Sequence, residues 1–414
     1  MTLWNPVWNV TIDGVDYTNA ILANLKITSG RRNIYEQANA GYVNIELIDL
    51  NQAIIPVHVN SSIAIQLKDT SGTFVTIFGG NVVDIFLTVR DSGNVSLTQT
   101  YAITALGALA RLPKSLTDGA LDKDFDGNQI YTILEGLLLN TWSDVPTALD
   151  WASYDPTTTW ADAENTGLGQ IDRPGNYELA KRNSNRINVY SLVSALATSG
   201  LGYLYESGDG LINYADSTHR SQYLSANGYV QVTANHAQAR GLQTQTRAGD
   251  VRNNITLQYA EDSTSEVSAT NLDSMAEYGT LAQIIQTTVF HAGDALDQAN
   301  FYLALRANPQ AMFSEIAFNL TNPELDDDDR DSLINVFMGM PVAINDLPAN
   351  MGSIYQGFVE GWTFRASYNE LEIAMIISPT AFSLQSLEWQ EISSSYDWAG
   401  VAPTLDWQRA TIVV

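Results

Sequence analysis

From the N-terminus to about Leu112, apolar and polar positions alternate with the period of two expected of half-buried strands. Across Tyr42–Ile48 the residues Val43, Ile45 and Leu47 fall on one face, and Ile63, Ile65 and Leu67 repeat the arrangement. Longer runs over Val82–Val89 and Val95–Thr104 read as further strands. Asp13-Gly14, Asp69–Gly72, Gly79-Gly80 and Asp91–Asn94 carry the turn residues between them. Closely spaced strands of this kind predict an antiparallel barrel or sandwich.

The period changes beyond Pro113. Ile130, Ile133, Leu134, Leu137 and Leu138 share one helical face, and Val189, Leu192, Val193 and Leu196 define a second helix stopped by Gly200. Leu201–Tyr205 and Leu211–Tyr214, separated by Ser207–Gly210, read as a hairpin. Between the helices, Thr141–Arg173 shows no period and reads as an ordered excursion pinned by Trp142, Trp151 and Trp160. From about Asn235 the pattern returns to strands, with one helix predicted over Gly293–Asn308 and ended by Pro309. The stretch from Thr380 to Val414 is rich in Ser and Trp and reads as a tail laid on a neighbouring surface. The expected organisation is 1–112, a first tube-like β-barrel; 113–234, a small α+β domain; 235–379, a second barrel; and 380–414, the tail.

The two β segments echo one another. Val43/Ile45/Leu47/Asp49 match Ile316/Phe318/Leu320/Asn322, and Ile63, Ile65 and Asp69 match Val342, Ile344 and Asp346. An aromatic-x-Gly-x-Val pattern recurs as Phe78, Gly80, Val82 and as Tyr355, Gly357, Val359. A long strand follows each, Asp84–Arg90 and Gly361–Arg365, then a turn containing Asn94 or Asn369. The preserved order points to an internal duplication, against the alternative that β meanders resemble each other by chance. A smaller echo pairs Trp142 and Trp151 with Trp398 and Trp407, each pair spaced Trp-x8-Trp and ending in Leu-Asp-Trp. These tryptophans fit aromatic packing anchors better than sugar-stacking platforms.

Composition narrows the function. The 414 residues carry 20 basic and 46 acidic side chains, a net charge of −26, and 45% hydrophobic residues. That is enough apolar material for several cores. The acidic balance argues against sequestering nucleic acid, which needs Lys and Arg to displace counterions, and against binding anionic membranes. Cysteine is absent, so disulfides, zinc–thiolate sites and a cysteine nucleophile are ruled out. The first residues lack the charged and apolar regions of a signal peptide. The longest uncharged run, Ile187–Tyr205, reads as a buried helix and a strand, so no membrane insertion is expected.

Catalytic patterns are scarce. The histidines are His58, His219, His236 and His291, and no two are spaced as metal ligands on one helix. No P-loop and no nucleophile elbow occur. Asp122, Asp124 and Asp126, followed by Gly127, match the start of a calcium loop, but Ile133 occupies the position that should hold a bidentate carboxylate. The alternative is that Asp126 caps the following helix while Asp122 and Asp124 favour its positive end. Asp326–Asp329 reads as a solvated loop. No cofactor and no catalytic residue are expected.

Several ordered patterns resemble a known family. They are Val10–Thr18, Leu25–Arg31, Gly41–Asp49, Phe78–Asp84, Ala102–Gly107, the helix at Tyr190–Ala197 and the hairpin Gly202–Tyr214. Together they resemble the baseplate hub, or hub-like minor tail protein, of long-tailed bacteriophages, whose relatives serve contractile injection systems. The resemblance spans roughly residues 5–380. It implies a mainly β fold with minor α content: two related tube-type antiparallel β-barrels flanking a small α+β domain. It also implies a homotrimer in the virion tail tip, assembled in the host cytoplasm. Such a hub adapts a six-fold tube to a three-fold tip, meeting a tail-tube or distal tail protein above and a central tip or fibre protein below. DNA would pass through its channel without specific binding, consistent with like-charge repulsion. Unlike fuller hubs, no lysozyme or peptidase domain is expected after residue 380. The competing class is a virion-borne carbohydrate-binding or polysaccharide-degrading tail protein using tryptophan platforms and an acid pair.

Overall fold

The computed structural model describes residues 4–17, 21–49, 55–89, 99–141, 168–238, 243–309, 311–351, 354–367 and 370–380. The fold is mainly β with a smaller helical share. Strands of four residues or longer are labelled in chain order. The first series comprises β1 (Trp8–Ile12), β2 (Ile21–Gly30), β3 (Tyr42–Asp49), β4 (Ser62–Lys68), β5 (Phe74–Val89) and β6 (Gln99–Leu106). They pair, all antiparallel, in the spatial order β1-β4-β5-β6-β3-β2. The alternation read from sequence sets the core face: Val43, Ile45, Leu47, Ile63, Ile65 and Leu67 are each at most 2% exposed.

The middle of the chain follows the predicted periods. Helix α1 (Asp126–Thr141) buries Ile130 and Leu134 and packs on α2 (Val189–Ser199), which buries Leu192, Val193 and Leu196. Asn188 caps α2 by accepting the Ser191 N–H, and Gly200 closes its C-terminus by donating to the Leu196 carbonyl. Strand β7 (Leu168–Ile171), which precedes α2 in sequence, joins the hairpin β8 (Tyr203–Glu206) and β9 (Ile212–Ala215) in a small sheet ordered β7-β9-β8. Helix α3 (His219–Asn227) has no apolar period and was not legible as a helix. Trp142, Trp151 and Trp160 lie outside the described residues, as do Trp398, Trp407 and the tail beyond Thr380.

The remaining elements are β10 (Val230–Thr233), β11 (Gln243–Thr246), β12 (Asn254–Tyr259), β13 (Ser265–Thr270), α4 (Leu272–Tyr278), β14 (Ala282–Gln286), α5 (Ala292–Arg306), β15 (Ala311–Asn319), α6 (Asp327–Ile334), β16 (Pro341–Asn345), β17 (Tyr355–Ser367) and β18 (Glu370–Pro379). Strands β12–β14 form a separate sheet, β13-β12-β14, inserted between β11 and β15. Helix α5 packs on it, burying Ala295 and Ala299 beside Ile255 and Leu257. The other strands make a second series, in the order β10-β16-β17-β18-β15-β11.

Strand for strand, this order repeats that of the first series. Ile63 lies opposite Gly80 and Ile65 opposite Phe78; in the second series Val342 lies opposite Gly357 and Ile344 opposite Tyr355. Each long strand bulges at the same place, the register slipping between Val82 and Asp84 in β5 and between Val359 and Gly361 in β17. Both glycines sit where the backbone crosses from one neighbour to the next. A Cβ on Gly80 would fall on the Leu106 carbonyl oxygen, and one on Gly357 on that of Ser378.

Three details differ from expectation. The β10–β16 pair is parallel where β1–β4 is antiparallel, so β10 runs in the opposite direction to its counterpart β1. The ladder position of Val43 is taken by Phe313 and that of Ile45 by Ile316, three and two residues earlier than the sequence match, which pairs Val43 with Ile316 and Ile45 with Phe318. The two-residue offset holds from Ile316 onward, and a bulge between Phe313 and Ile316 adds the third residue at Val43. The two series are also not separate bodies: β17 pairs with β2, from Gly361 opposite Gly30 to Ala366 opposite Leu25, so one sheet of thirteen strands runs through both.

Candidate functional site

The β2–β17 junction is the structural centre of the chain. Gly30, with φ of +85°, ends β2 against the Glu360 carbonyl, and the Arg31 N–H donates to that carbonyl at 2.8 Å. The bulge at Glu360 turns its carboxylate into the interior, where it is fully buried. Arg31 Nε donates to Oε2 at 2.6 Å, and Arg220 from α3 donates in a fork, Nη1 to Oε1 at 2.8 Å and Nη2 to Oε2 at 2.9 Å. Ser378 Oγ on β18 donates to Oε1 at 2.5 Å. Both guanidiniums lie over the ring of Tyr203, at 5.3 Å for Arg31 and 4.7 Å for Arg220.

One carboxylate thus joins the first strand series, the middle segment and the second series. Burial works against its ionisation, yet the Arg220 and Arg31 charges outweigh burial and hold the Glu360 carboxyl down at about 2. Sequence reasoning passed over this group. The available signal was a lone Glu inside the apolar run Gly357–Trp362.

Two further carboxylates, Asp126 fully buried and Glu206 half-buried, have no cation against them among the described residues. Glu206, at the end of β8, accepts the backbone N–H groups of Gly41 and Leu109 and so fastens the hairpin to the first series. Burial pushes its carboxyl up to about 7. Asp126 accepts the Tyr177 N–H at 2.9 Å and the Tyr214 hydroxyl, and burial likewise pushes it up to about 7. Beside it, His219 Nδ1 lies 2.7 Å from Asp172. A cleft of about 580 Å³ opens between the middle segment and the inserted sheet, lined by Arg31, Gln37, Tyr177, Arg220, Gln283 and Tyr302.

The candidate calcium residues do not converge. Asp126 is turned inward to Tyr177 and Tyr214, whereas Asp124 accepts from the Phe125 N–H and the Asn128 side chain. Among the described residues no group of three His, Cys, Asp or Glu is arranged to hold a metal. Asp126 opens α1 without capping it from outside, since its oxygens are taken up by the neighbouring strands. The acidic run at Asp326 is not a solvated loop but a helix start: Asp326 accepts the Asp329 N–H, and Asp327–Asp329 occupy the first turn of α6, where the helix dipole favours them. Arg330, 1% exposed, neutralises Asp327 at 2.6 Å. The repeat residues Phe78, Val82 and Val359 are buried and Tyr355 is half-buried.

Apolar side chains stand exposed at one edge of the sheet. At and past its bulge, β5 leaves Val83 37%, Phe86 68% and Leu87 51% exposed.

Comparison with solved structures assigns the fold. The chain is similar to the tail protein from Neisseria meningitidis MC58, with a TM-score of 0.53 at 10% identity, covering 92% of this chain and 98% of that one. It is also similar to the 43 kDa tail protein of prophage MuSo2 from Shewanella oneidensis, with a TM-score of 0.50 at 11% identity, covering 91% and 99%. No protein-family model and no curated protein matches the sequence.

Proposed function

We propose that the chain is a structural virion protein, a homotrimeric tail hub that adapts a six-fold tube to a three-fold tip. The observation that carries this reading is the repeated strand series. One chain holds two six-strand units with the same pairing order, the same bulge and the same crossing glycine. Two such units per chain are copies of one ancestral unit in this reading, with boundaries near 1–112 and 230–379, the second starting before the expected 235 because β10 belongs to it. Three chains then present six similar units around one axis, and closed cyclic symmetry avoids an open filament. The shared fold with two solved tail proteins supports a tail role.

In this role the chain works by shape, not by catalysis. It meets a tube or distal tail protein on one side and a tip or fibre protein on the other, and its ring lines the channel that DNA traverses. A net charge of −26 per chain keeps duplex phosphates from sticking. A reconstruction of the tail that carries the protein tests this placement. Three copies around the axis between tube and tip are expected; six copies, or a copy off the axis, overturn it.

A further inference from the structure

The two strand series differ at one edge. In the second, β17 continues past its bulge as Gly361–Ala366, pairing with β18 on one side and with β2 on the other. In the first, β5 continues past its bulge as Asp84–Val89 and pairs with β6 on one side. Among the described residues no strand lies on the other side. Burial records the difference. Trp362 and Phe364 in β17 are 6% and 1% exposed, whereas Leu87, at the ladder position of Phe364, is 51% exposed.

A matching vacancy exists at the far end of the sheet. Strand β2 lies outside β3 in the first series, and β11 lies outside β15 in the second. The outer edge of β2 is taken by β17, while β11 ends the strand order, with no further strand beside it among the described residues. One receiving edge and one donating strand are therefore unpaired, and they are the equivalents of the pair that joins inside the chain. They stand well apart in the strand order, so a second copy is the natural source of each partner. An unpaired apolar edge of this kind is a template for strand addition.

We propose that Asp84–Val89 of β5 pairs antiparallel with β11 of a second copy, reproducing the β17–β2 junction between chains. The register follows from the ladders. Phe364 lies opposite Ile27 and Trp362 opposite Ser29. Ile27 pairs with Val43, as Thr244 pairs with Phe313 at the equivalent position. Leu87 then lies opposite Thr244 of the second copy, and Ile85 opposite Thr246. This inference rests on the hub reading and supplies its interface. The contact is head-to-tail, and since it repeats the step already present within each chain, three chains complete six equal steps. It differs from the internal junction in one respect: Val83 stands where Glu360 stands, so the joint between chains lacks the buried ionic lock.

The test uses the full chain, measured by light scattering after size exclusion at matched concentrations. Phe86→Lys places a charge on an already exposed position, so the fold is retained while the edge is blocked. It is expected to weaken assembly roughly tenfold or more, the scale of one or two lost cross-strand contacts. The native chain has no cysteine, so the double variant Leu87→Cys with Thr244→Cys reads the register directly. On oxidation it should yield covalent dimers and trimers, and each single variant should yield none. A wild-type trimer that survives Phe86→Lys and gives no covalent oligomer overturns the edge pairing and leaves the hub reading standing. A disulfide formed within one chain also overturns it. A wild-type chain that stays monomeric at all concentrations overturns both.

Discussion

Arg31 and Glu360 are 329 residues apart in sequence and 2.6 Å apart in the fold, at the point where the two strand series become one sheet. Neither group exceeds 5% exposure, and Arg220 completes the site from a third segment. The junction therefore couples the stability of all three parts of the chain.

Breaking this lock should be costly. Removing one partner of a buried pair leaves an uncompensated charge, so Glu360→Gln is expected to destabilise by about 3–5 kcal/mol. The partly exposed pair between Arg365 and Glu372 is the control, where Glu372→Gln should cost no more than about 1 kcal/mol. Urea unfolding of both variants checks the difference, and equal midpoints would contradict the proposed lock.

Glu360 and the pair Glu206 and Asp126 give opposite pH signatures. Glu360 falls from 4.5 to about 2 on folding, so its contribution is full above 4.5 and is lost as the pH drops towards 2. Glu206 rises from 4.5 to about 7, so its contribution is full below 4.5 and is lost as the pH climbs through about 7. Asp126 behaves as Glu206 does, between 3.8 and about 7. Stability should thus decline from mildly acidic to neutral pH, and Glu206→Gln should flatten part of that slope in a series of denaturation curves.

The crossing glycines should respond alike. Gly80→Ala and Gly357→Ala each drive a methyl group onto a backbone carbonyl and are expected to cost about 1–3 kcal/mol. Gly136 in α1 has open space around a Cβ, so Gly136→Ala should instead add up to about 1 kcal/mol. Thermal melts of the three variants check the sign of each change.

Duplex DNA should pass without being held. With 46 acidic against 20 basic side chains, the purified chain should cause no gel retardation of a DNA duplex at physiological salt. Retardation that weakens steeply with added salt would reveal a basic track and contradict the sliding role.

Much of the sheet was legible because side-chain alternation and core burial are the same physical fact, as Val43, Ile45 and Leu47 show. Helices α1 and α2 announced themselves by apolar period, and Gly200 by its stop. What escaped notice lacked a local signal. Helix α3 is polar along most of its length, and α6 begins in four aspartates that act as a cap and first turn. The second series runs two residues out of step with the spacing match from Ile316 onward, and the bulge before Ile316 adds one more. The ionic junction was hidden because Arg31, Arg220 and Glu360 converge only in space; the lone Glu360 in an apolar run hints at a buried acid but not at its partners. The pairing of β17 with β2 was hidden for the same reason, since strand patterning tells which face is buried but not which edge meets which.

The central claim is that three chains close into one ring of six similar units. Native mass spectrometry of the purified protein, joined to cryo-EM class averages of the same sample, measures it most directly. The account predicts a particle of about three times the 45.3 kDa chain mass, seen end-on as six lobes around a central hole. A particle of one chain, of two, or of six, or a trimer with no hole, would contradict it.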